Sequence, residues 1–330
     1  MTVFYLTLLS VYIFSLIARI VRENHKNLAW IFVVIVILIL TLVSGLRSGI
    51  GDTYMYEHLY SLIVPDFNSD GYEPGFILLL KGLKYISDES IFMLLVTSAI
   101  INMLNIISLY IFTEDGYFEI AVFLYIASGY YTTTMNGLRQ SLAASFIFLA
   151  TIFIIKKKFI LYLTTIVLMI TIHNSAFIMI PIYFISKQKV WTKRTNILYA
   201  IMLLGLLFYD PLMGLLGDSK YGGYADSTEG GANIIRIIIF MIPIILAYMK
   251  RDIITEKWKE GNIFVNMSIL CGVIMLFSAF NWIFARFGIY FQLYNFVFFS
   301  FILKNGFKGK EKRLIYFLLI LFYLMFFYYE

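Results

Sequence analysis

Charge is scarce in this chain: Asp, Glu, Lys and Arg together make up 14% of 330 residues, against 61% hydrophobic residues and a mean hydropathy of +0.85. A soluble domain holds about 25% charged and roughly 45–50% apolar residues, so a water-soluble globule is excluded. Cysteine is nearly missing. Cys271 stands alone in an apolar run, so it forms no internal disulfide, supplies no thiolate metal site and leaves the redox compartment unread. The histidines, His25, His58 and His173, are far apart. The chain lacks a Gly-x-x-x-x-Gly-Lys phosphate loop, a His-Glu-x-x-His pair, a Gly-x-Ser-x-Gly elbow and an Asp-x-Asp pair for a metal-bound nucleotide sugar. These absences argue against nucleotide-driven or metal-clustered chemistry. Without a repeat, a low-complexity tract or a stretch long enough to fold alone in water, residues 1–330 read as one transmembrane domain.

What is abundant is aromatic, 18% of the chain with 32 Phe and 25 Tyr, which suits side chains packed in a bilayer and at its surfaces. A spanning helix needs about 20 mostly apolar residues. Runs that meet or approach this length are 3–20, 28–46, 90–112, 118–134, 139–155, 159–172, 174–186, 196–209, 234–249, 263–281, 283–303 and 314–329. The fold class is therefore all-α and polytopic, with about twelve spans. The short runs 159–172, 174–186 and 196–209 are expected to be tilted, broken or re-entrant. No cleavable signal is evident, and the first run reads as a retained span, since no basic segment precedes it and Arg19 and Arg22 follow it.

A net charge of +6 could indicate nucleic acid, but the 26 basic residues fall between the apolar runs. With both termini outside, nineteen of them lie in the alternate loops 19–27, 113–117, 156–158, 187–195, 250–262 and 304–313, as the positive-inside bias requires. The seven exceptions are Arg47, Lys81, Lys84, Arg139, Lys220, Arg236 and Arg286. All would lie at the outer face, where each needs an anchoring role or a ligand. Two outer loops are long. Residues 47–89 carry seven acids and include the apolar stretch Gly75–Ile86, too short to span and read as an amphipathic surface helix or a re-entrant one. Residues 210–233, rich in Gly, Asp, Ser and Tyr, read as an aromatic loop suited to carbohydrate or to a lid.

Chemistry then falls to polar residues at outer helix ends. Arg139 opens a helix within Thr134-Met135-Asn136-Gly137-Leu138-Arg139-Gln140-Ser141, where a cation is unfavourable unless an anion sits beside it. Free amides, the helix dipole and a guanidinium make a phosphate or carboxylate site; the plainer reading is a pair with Asp52 or Glu73. Arg286 is expected to begin a helix after Asn281-Trp282, with Tyr290 one turn on, and snorkelling at an aromatic belt explains it as well. Arg47 ends its helix, where the dipole favours a cation. His173 interrupts an apolar stretch, as a functional imidazole or as a buried one satisfied by a carbonyl, with Asn174 or Ser175 available to cap the next helix. Asp52 shares its loop with Tyr54, Tyr56 and Tyr60, either a sugar platform or a set of interface anchors.

In this setting the sequence resembles the EpsG-type family of bacterial polysaccharide polymerases, functionally grouped with the Wzy O-antigen and capsule polymerases. The matching pieces are Gly45-Leu46-Arg47-Ser48-Gly49-Ile50-Gly51-Asp52-Thr53-Tyr54 with Tyr56 and Tyr60, Glu73-Pro74-Gly75-Phe76, Asn136 to Ala143, Ile172-His173-Asn174-Ser175-Ala176 with Pro181, and Arg286 with Tyr290. They follow in family order from about residue 40 to 300. Asn174 departs from the small residue or proline associated with that place.

The resemblance implies a GT-C-like membrane glycosyltransferase in the bacterial inner membrane, with its site on the extracytoplasmic side. It would join undecaprenyl-diphosphate-linked repeat units into O-antigen, capsular or exopolysaccharide, alongside membrane lipid and a chain-length regulator and flippase of the same pathway. Such a donor carries its own leaving group, so no cofactor, metal or nucleotide is needed. On this reading Arg139, Arg286 and Arg47 bind the diphosphate. Asp52, His173 and Glu73 are the base candidates, and Tyr54, Tyr56, Gln140 and Tyr290 line the substrate. The alternative is a multi-helix transporter or flippase of lipid-linked oligosaccharide, which needs charged residues through the midplane rather than at one face. A scaffold within an assembly complex is the third reading.

Overall fold

The computed structural model describes residues 2–64, 67, 71–208 and 231–329. Every regular element among them is helical. In chain order these are α1 (Thr2–Arg22), α2 (Lys26–Gly45), α3 (Thr53–Leu62), α4 (Pro74–Ile86), α5 (Ser90–Phe112), α6 (Phe118–Ala127), α7 (Tyr130–Asn136), α8 (Leu138–Leu149), α9 (Thr151–Ile155) and α10 (Phe159–Ile170). A 3-10 turn at Asn174–Met179 leads to α11 (Ile182–Ser186), α12 (Lys193–Leu204), α13 (Ile234–Met249), α14 (Arg251–Lys257), α15 (Gly261–Phe277), α16 (Ile283–Phe287), α17 (Gln292–Asn305) and α18 (Gly309–Tyr329).

Five stretches among the described residues are long and apolar enough to cross a membrane: α1, α2, α5, Leu138–Ile155 and α18. A sixth is added if the pair Ile283–Tyr290 and Gln292–Asn305, bent by 55°, counts as one span. The expected run 118–134 is divided at Ser128–Gly129, where Gly129 takes a left-handed φ of 79° and ends the helical register. The expected runs 159–172 and 174–186 meet at a break around Thr171–His173, with His173 extended.

The long helices are apolar on the outside and small or polar where they meet. On α2, Ala29, Val33, Val36, Leu40 and Ser44 are buried at helical spacing, while Ile31, Val34, Leu38 and Leu42 are exposed. The same holds on α1, with Leu8, Val11, Ser15 and Ala18 inside and Val3, Leu6, Leu9 and Ile13 outside. Apolar outer faces have no stable place in water but suit lipid, and small residues at the seams let backbones approach. Gly45 sits so close to α5 that an added Cβ would lie 2.9 Å from the Leu95 Cα.

Two compact units emerge. Residues 1–183 and 299–330 form the first, and 184–298 the second. In the first, a buried polar network ties α2, α5 and α6: Asn102 donates to Ser44 Oγ at 3.0 Å and accepts from Tyr125 at 3.0 Å. Lower in the chain order, Arg19 of α1 pairs with the fully buried Glu119 of α6 at 2.7 Å, and Tyr316 of α18 donates to the same carboxylate at 3.3 Å. The second unit is organised by α15, whose Asn266 donates to the carbonyls of Ser186 and Gln188 and accepts from Tyr199.

Candidate functional site: a shared carboxylate in the first unit

The stretch expected as an amphipathic helix forms α4. Pro74 at its first position suits the fixed φ of a helix start. Phe76, Ile77, Leu80 and Leu83 turn inward and pack with Tyr56, Leu59, Tyr60 and Ile63 of α3, with Met93 and Leu94 of α5, and with Leu138. This core sets the position of Glu73, the residue just before α4.

The first turn of α4 is held by the end of α10. The amides of Gly75 and Phe76 donate to the Thr171 carbonyl at 2.8 and 3.2 Å, so two donors that a helix start leaves open find an acceptor there. Only glycine permits this approach, because a Cβ on Gly75 would lie 2.2 Å from Thr171 Oγ1 and 2.8 Å from the Thr171 carbonyl oxygen. Glu73 makes no side-chain cap to its own helix. Its carboxylate reaches across instead.

One oxygen, Oε2, accepts from Arg139 Nη1 at 2.5 Å. The other, Oε1, accepts from the Asn174 amide at 3.0 Å and lies 3.4 Å from His173 Nδ1. Three of the residues singled out from sequence thus meet, brought from positions 66 and about 100 residues apart. Arg139 lies over the rings of Tyr72 and Phe76 at 5.0 and 5.8 Å, contacts that desolvated cations favour. Its Nε is a buried donor that takes no acceptor among the described residues. Glu73 is 9% exposed, and burial by itself would raise its pKa; the His173 contact, the Asn174 amide and the Arg139 charge outweigh this and bring it to about 2. Glu73 therefore stays ionised and balances the charge of Arg139.

Asp52 is half-buried at the start of α3, where its backbone amide donates to Asn136 Oδ1 at 3.0 Å and its side chain does not cap the helix. Gly51, at φ 52°, packs against the same Asn136. Arg47 is 7% exposed and its guanidinium serves the fold: Nε donates to Thr53 at 3.0 Å, Nη1 to the Ser44 carbonyl at 2.6 Å and Ser98 at 3.3 Å, and Nη2 to the Met135 carbonyl at 3.3 Å. Arg47 lies two residues past α2 rather than in its last turn, and reaches back to the helix end through the Ser44 carbonyl.

Of the tyrosines, Tyr54 is exposed and Tyr56 is 3% exposed. Burial pushes the Tyr56 phenol above its ordinary value, while the charge and hydrogen bond of Arg139 pull it back. Gln140, beside Arg139, is buried.

Arg286 belongs to the second unit, and its local geometry corrects the sequence reading. It lies in the last turn of α16 rather than the first, because Asn281 Oδ1 accepts from the Ile283 amide and starts the helix there. At that end the dipole favours a cation, so the helix-start argument for an anion does not apply to Arg286. Its guanidinium stacks on Trp282 at 4.8 Å, and Tyr290 is buried. The loop 210–233 lies outside the described residues except for 231–233, and Lys220 lies outside them too.

Sequence reasoning missed Tyr72 and the Thr171 carbonyl. Tyr72 directly precedes Glu73, so an aromatic beside the motif was its only signal; a backbone carbonyl leaves none. No group of three or more His, Cys, Asp or Glu able to hold a metal occurs among the described residues.

Long helices with apolar outer faces, together with a charged cluster at helix ends, mark a polytopic membrane protein with an ionic site. The EpsG family profile matches residues 30–330, and the chain belongs to that family, a family of polysaccharide polymerases. No curated protein and no solved structure matches it.

Proposed function

We propose that the chain is a glycosyltransferase that transfers a growing glycan from its undecaprenyl diphosphate to the next lipid-linked repeat unit at the outer face of the bacterial inner membrane. A GT-C-like arrangement of about twelve crossings, several of them short, in a single membrane domain belongs to this reading. So does a reaction without metal. The convergence of Arg139 and His173 on Glu73 carries the proposal, since a guanidinium suited to phosphate and an imidazole suited to accepting a proton share one carboxylate.

The acceptor hydroxyl must lose a proton as it attacks an oxocarbenium-like anomeric carbon, while charge gathers on the departing diphosphate. Arg139 meets the second need. Its guanidinium stays ionised, and the part of it that is open, 20% of the side chain, can donate to a phosphate oxygen while Nη1 holds Glu73. His173 meets the first. With Nδ1 turned to Glu73, the opposite nitrogen is left for the hydroxyl. Glu73, at about 2, is too weak a base to accept that proton and acts as the group that positions the other two. Asp52 remains a second proton-acceptor candidate, and Arg47 a positioning residue for the segment that leads to Arg139. Arg286 is a further phosphate-binding candidate, tested on its own.

Purified protein in detergent, given lipid-linked repeat units, should produce a ladder of longer glycans. Detergent abolishes compartments, so a flippase gives no ladder. Arg139→Lys should lose the ladder while keeping the protein folded, because one ammonium cannot hold Glu73 and a phosphate together as a fork does. Unchanged elongation in Arg139→Lys, or in His173→Ala, would remove the site from the reaction.

A further inference from the structure

α3 presents two different faces. Thr53, Tyr56, Leu59 and Tyr60 are buried, with Tyr56 on the side facing the Arg139 charge. On the other face Tyr54, His58 and Ser61, at i, i+4 and i+7, are exposed, and Glu57 is half-buried beside them. Tyr54 is 77% exposed. The rings of Tyr54 and His58 stack nearly parallel, within 6° and with centroids 6.2 Å apart, so His58 backs the exposed Tyr54 ring. A helix face that dissolves in lipid would not carry His58, Glu57 and Ser61. A face made only for water would have no use for two aligned rings.

The helix is also anchored to the site described above. Its start is hooked to Asn136 through the Asp52 amide, three residues before Arg139, and Arg47 holds the adjoining Met135 carbonyl. The open ring surface and the Arg139 contact are therefore on opposite sides of one rigid helix, separated by about one helix diameter, ~10 Å. That offset matches a sugar within the repeat unit but away from the bond being formed.

We propose that the Tyr54 ring, backed by His58, forms a platform for a pyranose of the lipid-linked glycan, with the apolar C–H face of the sugar on the open face of that ring and its hydroxyls toward Glu57 and Asp52. The platform rests on the polymerase reading, and it deepens that reading by separating sugar recognition from phosphate recognition. Tyr54 binds substrate, His58 backs its ring, and neither takes part in bond making.

The test pairs kinetics with direct binding. The Tyr54→Ala/His58→Ala protein should show KM for the lipid-linked repeat unit raised about five- to tenfold, the factor expected for one lost aromatic contact, with kcat kept. Tyr54→Phe should restore KM, since stacking needs the ring and not the hydroxyl. For binding, the probe is the repeat-unit oligosaccharide released from the lipid-linked pool by mild acid. Saturation-transfer NMR should show its ring protons contacting the wild-type protein and not the double variant. An unchanged KM in the double variant, or undiminished saturation transfer to it, would overturn the platform. A wild-type protein that binds the oligosaccharide but makes no ladder would refute the polymerase reading and leave the platform standing.

Discussion

Replacing Glu73 by glutamine keeps the shape of a side chain that is 9% exposed and removes its charge. The carboxyl titrates at about 2 in the folded protein against an ordinary 4.5, with burial opposing the fall and His173, Asn174 and Arg139 producing it. That difference corresponds to about 3 kcal/mol of folding free energy held in the ionised form. Breaking one partner from a buried ion pair costs about 3–5 kcal/mol, and the Arg139 side chain, 20% exposed, recovers some of this from solvent. Glu73→Gln should therefore lose about 2–3 kcal/mol at neutral pH. The pH dependence has a definite sign. A carboxyl whose folded pKa is depressed contributes its stability in full above 4.5 and loses it as the pH falls from there towards 2. Denaturant unfolding in detergent, followed by tryptophan fluorescence across that range, reads both effects. The wild type should weaken on acidification, whereas Glu73→Gln should start weaker and show a shallower fall. Equal stability at neutral pH, or identical acid limbs, would refute the reasoning.

Gly75→Ala should destabilise the protein by about 1–3 kcal/mol, because its Cβ meets Thr171 backbone and hydroxyl, whereas Gly82→Ala, with open space around it, should stabilise α4 by about 0.5–1 kcal/mol. The same unfolding assay separates the two. Arg47→Lys should lower stability by about 2–3 kcal/mol, since an ammonium cannot reach the four acceptors of the guanidinium, while the KM of whatever protein remains folded stays the same. A raised KM with full stability would instead make Arg47 a direct phosphate ligand. Arg286→Ala, on an exposed side chain stacked on Trp282, should leave the unfolding midpoint within about 0.5 kcal/mol of wild type, and its elongation rate decides whether that cation touches substrate.

The exposed apolar faces of α1 and α2 explain why sequence patterning was informative here. Lipid selects apolar residues over a whole span, so the boundaries of α5 at 90 and 112 were legible directly from hydropathy. The helix-ending role of Arg47 and the helix start ahead of Arg139 were also legible, as local matters of dipole and cap. The break at Gly129 was not, because an apolar stretch reads the same on either side of a left-handed glycine.

Composition and hydropathy alone determined the solvent of this protein, its helical class and the short set of cations and acids worth testing, since the bilayer forces backbone hydrogen bonds to close within each segment. Tertiary structure decided which of those groups meet. Sequence treats Tyr54 and Tyr56 alike, yet packing against α4 and α5 buries one beside Arg139 and leaves the other open. It gives Asp52 and Glu73 equal standing, yet the approach of Gly75 to Thr171 brings only Glu73 within reach of both Arg139 and His173. Contacts between positions 66 and 100 residues apart leave no periodic trace, because they depend on how helices dock and not on how each one forms.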